Sequence, residues 1–146
     1  MAWPQTYSAF RRSGGPAPQG LELCQESLPK ELGPHDVLVK IHAVSLNFRD
    51  AGMLHDRYPM AIEETGIPCS DCAAEIVGTG SMVEGLAIGD CVAAIADLGN
   101  LTGHDVTPVI AIGANSPGVL REYAIFEDTH LVLLPKHMSW EEVSSS

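Results

Sequence analysis

Ten consecutive residues, Asp36-Val-Leu-Val-Lys-Ile-His-Ala-Val-Ser45, place the strongest constraint on how this chain can fold. Val37, Val39, Ile41 and Ala43 recur with a period of two, and Lys40 and His42 take alternate positions. Successive side chains of a strand point to opposite faces, so the run is a strand with one face on a core and the other partly wet. A strand of this kind needs partners on either side.

The rest of the chain supplies them. Thr6 to Phe10 and Leu21 to Cys24 read as two strands joined through RRSGGPAPQG, a Gly- and Pro-rich connection over 11–20. Asn47 to His55 shifts toward a short helical turn, and Asp56 to Pro68 reads as a loop. Ala73 to Val77 and Cys91 to Ile95 are further strands, each beside a glycine turn. A long loop is expected over 97–118, with strands resuming at Leu120 to Phe126 and Leu131 to Leu134. Short strands, frequent turns and little helix predict a mainly β domain, barrel-like or sandwich-like. Near the end, Ser139-Trp-Glu-Glu142 has the S-x-x-E spacing of a capping box, which marks a helix start. With only four residues after Glu142, that helix is expected to belong to a longer parent protein. The 146 residues suit one domain, which buries roughly 70% of its unfolded surface.

Charge narrows the function classes. Nineteen acidic residues against eight Lys and Arg give a net charge of −11, and the basic residues form no stripe beyond Arg11-Arg12. Such a surface repels phosphate backbones and anionic membranes, so neither nucleic acid nor membrane is expected as a partner. No run approaches the roughly 20 apolar residues of a spanning helix, and MAWPQTYSAFRR lacks the pattern of a secretory signal. A cytoplasmic location is the expectation, with Cys24, Cys69, Cys72 and Cys91 as free thiols.

Several motifs invite chemistry. Gly78-Thr-Gly80 lacks the third glycine of the dinucleotide fingerprint, since Val83 stands there, and a turn and strand come next where a helix is required. Cys69-Ser-Asp-Cys72 has C-x-x-C spacing, but there is no second pair for structural zinc and no helix start to activate a thiol. The six histidines show no metal-binding spacing; a zinc on His55, Cys69 and a carboxylate is conceivable, and surface or half-buried histidines are the plain alternative. Asn47-Phe-Arg-Asp50 is a polar cluster directly after the apolar strand, where side chains either line a pocket or cap a turn, with Arg49 paired to Asp50.

From Gly20 to Val143 the order of pieces resembles the amino-terminal, GroES-like domain of medium-chain dehydrogenases/reductases. The carrying stretches are LELCQESLPKELGPHDVLVKIHAVSLNFRD, YPMAIEETGIPCSDCAAEIVGTG, LAIGDCVAAI and SPGVLREYAIFEDTHLVLLPKHMSWEEV. The resemblance is to zinc-independent, quinone-oxidoreductase-like or alcohol-dehydrogenase-like members, and it implies a partly open β-barrel with short helices. Residues 1–138 would form the substrate-binding domain, and 139–146 would begin a helix leading to an absent Rossmann domain. In zinc-dependent relatives a Cys ligand takes the position of Asn47, and a His-Glu pair falls at Ser70-Asp71. The cysteine-rich lobe would fall within 92–118, where there is no Cys, so no metal is expected. Relatives usually carry Gly where Cys69, Cys72 and Ala74 stand, which makes the backbone of 69–74 a point of interest.

The resemblance further implies hydride transfer from NAD(P)H to a carbonyl or activated alkene of a small-molecule substrate. Asn47, Arg49 and Ser70 would meet the developing charge, with Asp50 orienting Arg49; Phe48, Tyr58 and Asp71 would contact substrate. This chain alone would bind no cofactor and be inactive in hydride transfer. The alternative is a stand-alone small-molecule-binding protein or cofactor-free enzyme descended from such a reductase, using Asp50, Asp71 or His55. A chaperonin-cap role fits less well, because 11–20 lacks an apolar docking segment.

Overall fold

The computed structural model describes residues 3–104 and 108–145. Met1, Ala2, Ser146 and residues 105–107 of the expected long loop lie outside the described residues. The alternating run is strand β3 (Asp36–Ser45), as its pattern predicts. Before it, β1 (Thr6–Arg12) and β2 (Leu21–Ser27) form an antiparallel ribbon. After it come α1 (Phe48–Leu54), β4 (Asp71–Thr79), β5 (Cys91–Ala94), β6 (Tyr123–Glu127), β7 (Leu131–Leu133) and α2 (Trp140–Ser144). Five strands make one antiparallel sheet in the order β6-β3-β4-β5-β7. The result is mostly β, a curled half-barrel sheet with few short helices. No helix among the described residues is long and apolar enough to cross a membrane.

The faces of β3 depart from simple alternation in two places. Leu38 shares the parity of Lys40 and His42 and is nonetheless fully buried, with Trp3 and Leu32 beside it around Gly78. The second departure is a bulge. Ile41 pairs with Ala74 and Ala43 with Ala73, so His42 is the extra residue and the phase shifts. Val44, not Ala43, therefore packs on the main core beside Ile41 and Cys72. A bulge bends its strand and re-aims the residues beyond it; the polar residue just past this strand is Asn47.

Two loops carry more structure than their composition suggests. β1 runs two residues past its expected end, and the Arg11-Arg12 pair splits. Arg11 is part-exposed and bonds Glu26 at 2.5 Å, whereas Arg12 is 1% exposed. The Arg12 guanidinium donates to the carbonyls of Gly113 and Glu63, both at 2.8 Å, and of Ala114 at 3.4 Å. Three acceptors make so deep a burial of a charge tolerable. The segment expected as a loop over 97–118 contributes Ile112 to the core, and Val119 beyond it is equally buried. Residues 120–122 belong to the ribbon contact, with Ala9 bridging Arg121, and β6 begins only at Tyr123.

The glycines of 78–80 serve packing. A Cβ on Gly80 would stand 2.0 Å from the Gly33 carbonyl oxygen, and the Gly80 amide donates to Asp36 O at 2.7 Å. That close approach explains both the glycine and the turn.

Candidate functional site

The register of the central strand pair builds the site. β3 and β4 run antiparallel with Ser45 opposite Asp71. Asn47, two residues beyond the end of that pairing, therefore falls beside Ser70 and Asp71, 23 and 24 positions away in sequence. The Asn47 carboxamide nitrogen donates to Asp71 Oδ2, and the Ser70 hydroxyl donates to the same oxygen at 2.9 Å. Ser70 is 3% exposed; Asn47 and Asp71 are half-buried. Two of the residues singled out from sequence thus converge on a carboxylate oxygen of a third.

Asn47 is also the N-cap of α1, with extended backbone. The carboxylate of Asp50, three residues on, accepts from the Asn47 amide through Oδ2 at 2.9 Å. Its other oxygen, Oδ1, accepts from the Cys69 amide at 3.1 Å. Asp50 therefore joins two chain segments; the turn-capping reading holds, and the expected partnership with Arg49 is replaced by two amides. Arg49 turns away and donates through Nη2 to the Ile112 carbonyl. Together Arg49 and Arg12 grip three consecutive carbonyls, at 112, 113 and 114, so both guanidiniums act as struts for that loop.

Cys69 sits under the cluster in a left-handed conformation, φ 71, a region that costs a non-glycine residue about 1–2 kcal/mol. Its position among expected glycines is thus a real conformational demand. The backbone is held on every side: Asp50 takes the N–H, and the Val119 amide donates to the carbonyl at 3.0 Å. Gly113 (φ 79) lies so close that a Cβ there would meet Cys69 O at 2.6 Å. Burial first, and the Asp50 charge second, push the Cys69 thiol up to about 12. Burial pushes Cys72 up to about 11. Both thiols stay protonated at neutral pH, which suits packing and opposes reactivity.

The two aromatic residues diverge. Phe48 is 92% exposed at the first position of α1, and Leu46, which nothing in the local pattern singles out, is 74% exposed on the other side of Asn47. Tyr58 is half-buried and packs with Met53, Ala111 and Ala114 in a small separate cluster. A cleft of about 250 Å³ between the ribbon and β3, lined by Phe10, Leu23, Ile41 and Leu120, has none of the candidate residues on its walls.

The donor set does not suit zinc. Catalytic zinc takes three ligands from thiolate, imidazole and carboxylate. Here the two carboxylates, Asp71 and Asp50, are both engaged in hydrogen bonds, Ser70 is a neutral hydroxyl, and the Asn47 amide nitrogen donates to Asp71. Cys69 is buried in the main core, and His55 stands exposed at the end of α1. Among the described residues no three His, Cys, Asp or Glu side chains group as a metal site.

With the half-barrel and this cluster in view, likeness to known proteins falls into place. The alcohol dehydrogenase GroES-like domain matches residues 33–136, and the chain belongs to that family, within the medium-chain dehydrogenases/reductases. A zinc-type alcohol dehydrogenase-like protein of Schizosaccharomyces pombe is 35% identical over 120 residues, 81% of this chain and 35% of the relative. A candidate alcohol dehydrogenase of Sinorhizobium meliloti superposes with a TM-score of 0.85 at 28% identity, over 99% of this chain and 43% of its own. A candidate zinc-binding dehydrogenase of the same organism, solved bound to NADP, gives a TM-score of 0.77 at 20% identity, over 94% of this chain and 41% of its own. The chain therefore spans between 35% and 43% of the length of these relatives.

Proposed function

We propose that this chain is the substrate-binding half of a zinc-independent, cytoplasmic NAD(P)H-dependent oxidoreductase that reduces a carbonyl or activated alkene. The observation that carries the reading is the pair of hydrogen bonds from Asn47 and Ser70 to Asp71 Oδ2. At the positions where zinc-dependent relatives keep their ligands, this chain keeps a neutral amide and a hydroxyl organised by one carboxylate.

The reduced nicotinamide, held by a Rossmann domain beyond α2, would supply the hydride. This chain's part is to place the substrate and meet the negative charge that gathers on its oxygen. A carboxamide carries two N–H donors; Asp71 fixes one, which aims the other at the substrate. Donors set in advance stabilise charge as it develops, without the reorganisation water needs. Solvent delivers the proton that completes reduction. Phe48 and Leu46, exposed on either side of Asn47, would supply apolar contacts to the substrate. Arg49 supports the loop at Ile112, and Asp71 orients donors.

The test has two arms. Titrating the purified chain with NADPH by fluorescence should give no saturable change; saturable binding by these residues alone would contradict the reading. Joined to its nucleotide-binding domain, the protein should reduce quinones or enones equally well with and without a strong chelator. Loss of turnover on chelation, restored by zinc, would refute the zinc-independent assignment.

A further inference from the structure

We infer that Asp50 is a positioning residue, whose carboxylate ties the cap of α1 to the backbone at Cys69 and so holds Ser70 and Asp71 against Asn47. The inference builds on the reading of Asn47, Ser70 and Asp71 as the substrate-facing set, and its test is independent of turnover.

The geometry is that of a clamp. One carboxylate oxygen takes the Asn47 amide at 2.9 Å and the other takes the Cys69 amide at 3.1 Å. Each clamped residue is chemically next to the cluster: Asn47 is itself a member, and Cys69 directly precedes Ser70 and Asp71. The sheet cannot do this alone. Its last β3–β4 pair is Ser45 with Asp71, so Asn47 and Ser70 both lie beyond the ladder. Cys69 also rests in a conformation its side chain disfavours, with φ 71, so something must hold it there. A residue at that position without a Cβ would need no holding. Asp50 should therefore matter most when residue 69 is not glycine.

Asp50→Asn tests this, since an amide can accept only one of the two bonds. The probe is the Asn47 side-chain amide pair in nitrogen-15 spectra, assigned by its disappearance in Asn47→Asp. In the unsubstituted protein the pair should exchange slowly with solvent, a protection that is lost in Asp71→Asn. In Asp50→Asn that protection should fall at least twofold, and Cys69→Gly added to it should restore it. Full protection in Asp50→Asn, or no restoration by glycine, would overturn the inference. A second measurement is hydrogen exchange at the backbone amides of Asn47 and Cys69: both should quicken in Asp50→Ala, and a change at one alone would overturn the shared carboxylate. Failure of hydride transfer in the joined protein, with these couplings intact, would remove the proposed function and leave the clamp standing.

Discussion

Asp50 and Glu142 occupy the same place in two helices, three residues after an N-cap, yet their carboxylates do different jobs. Glu142 closes a local box: its Oε2 accepts from the Ser139 amide at 2.8 Å, and its own amide donates to Ser139 Oγ at 3.3 Å. It is exposed, and every bond it makes stays within four residues. Asp50 accepts from its own cap and also from Cys69, 19 residues away. The first arrangement starts a helix; the second starts a helix and sets the position of another segment. A side chain's local role can be read from spacing, whereas a second role across the fold depends on what the sheet brings alongside.

The difference can be broken from the far side first. Gly113→Ala would put a Cβ 2.6 Å from the Cys69 carbonyl oxygen at a residue with φ 79, so backbone must move. Thermal or denaturant unfolding should show a loss of about 3 kcal/mol or more, combining left-handed strain with a clash that cannot relax cheaply. A loss under about 1 kcal/mol would mean the contact is slack. Asp50→Ala comes next, at about 2–4 kcal/mol, the sum of a lost cap and an orphaned Cys69 amide. Cys69→Gly alone should stay within about 1 kcal/mol of the parent, because relief of the left-handed strain and loss of a buried thiol offset each other. The two should not add, since glycine makes the clamp less necessary; strict additivity in the double variant would count against coupling.

The smallest effect belongs to Glu142. Hydrogen bonding to Ser139 holds its carboxyl below the ordinary 4.5. A depressed value in the folded state means a contribution present above the unfolded value and lost as pH falls through the folded one. Acid should therefore fray α2 below about pH 4.5 while the sheet persists. The reporter is built in, since the Trp140 ring stacks on His42 with centroids 4.2 Å apart. Trp140 fluorescence should change in that acid range in the parent and not in Glu142→Gln; an identical transition in both would assign it to another group.

The same contrast explains how much the sequence reveals by itself. Asp36–Ser45 was legible to the residue, because period-two burial leaves a direct imprint on composition, and Ser139-x-x-Glu142 was legible as chemistry at fixed spacing. The bulge at His42 left no such mark: it depends on pairing with β4, and it moved Val44 into the place parity gave to Ala43. Arg12 fell within the expected connection over 11–20, because the carbonyls that receive it lie far off at 63, 113 and 114. The cluster was half legible. Resemblance brought Asn47, Ser70 and Asp71 to attention together, and the antiparallel register then explained their meeting. The direction of Arg49 and the second oxygen of Asp50 were fixed by partners 63 and 19 residues away, beyond the reach of local pattern.

Central to the proposed function is that the Asp71 carboxylate, hydrogen-bonded by Asn47 and Ser70, holds no metal. Titration calorimetry of the purified chain with zinc, beside Asp71→Asn, addresses it most directly. No stoichiometric heat should distinguish the two proteins. One equivalent of zinc bound tightly by the parent and lost in Asp71→Asn would contradict it.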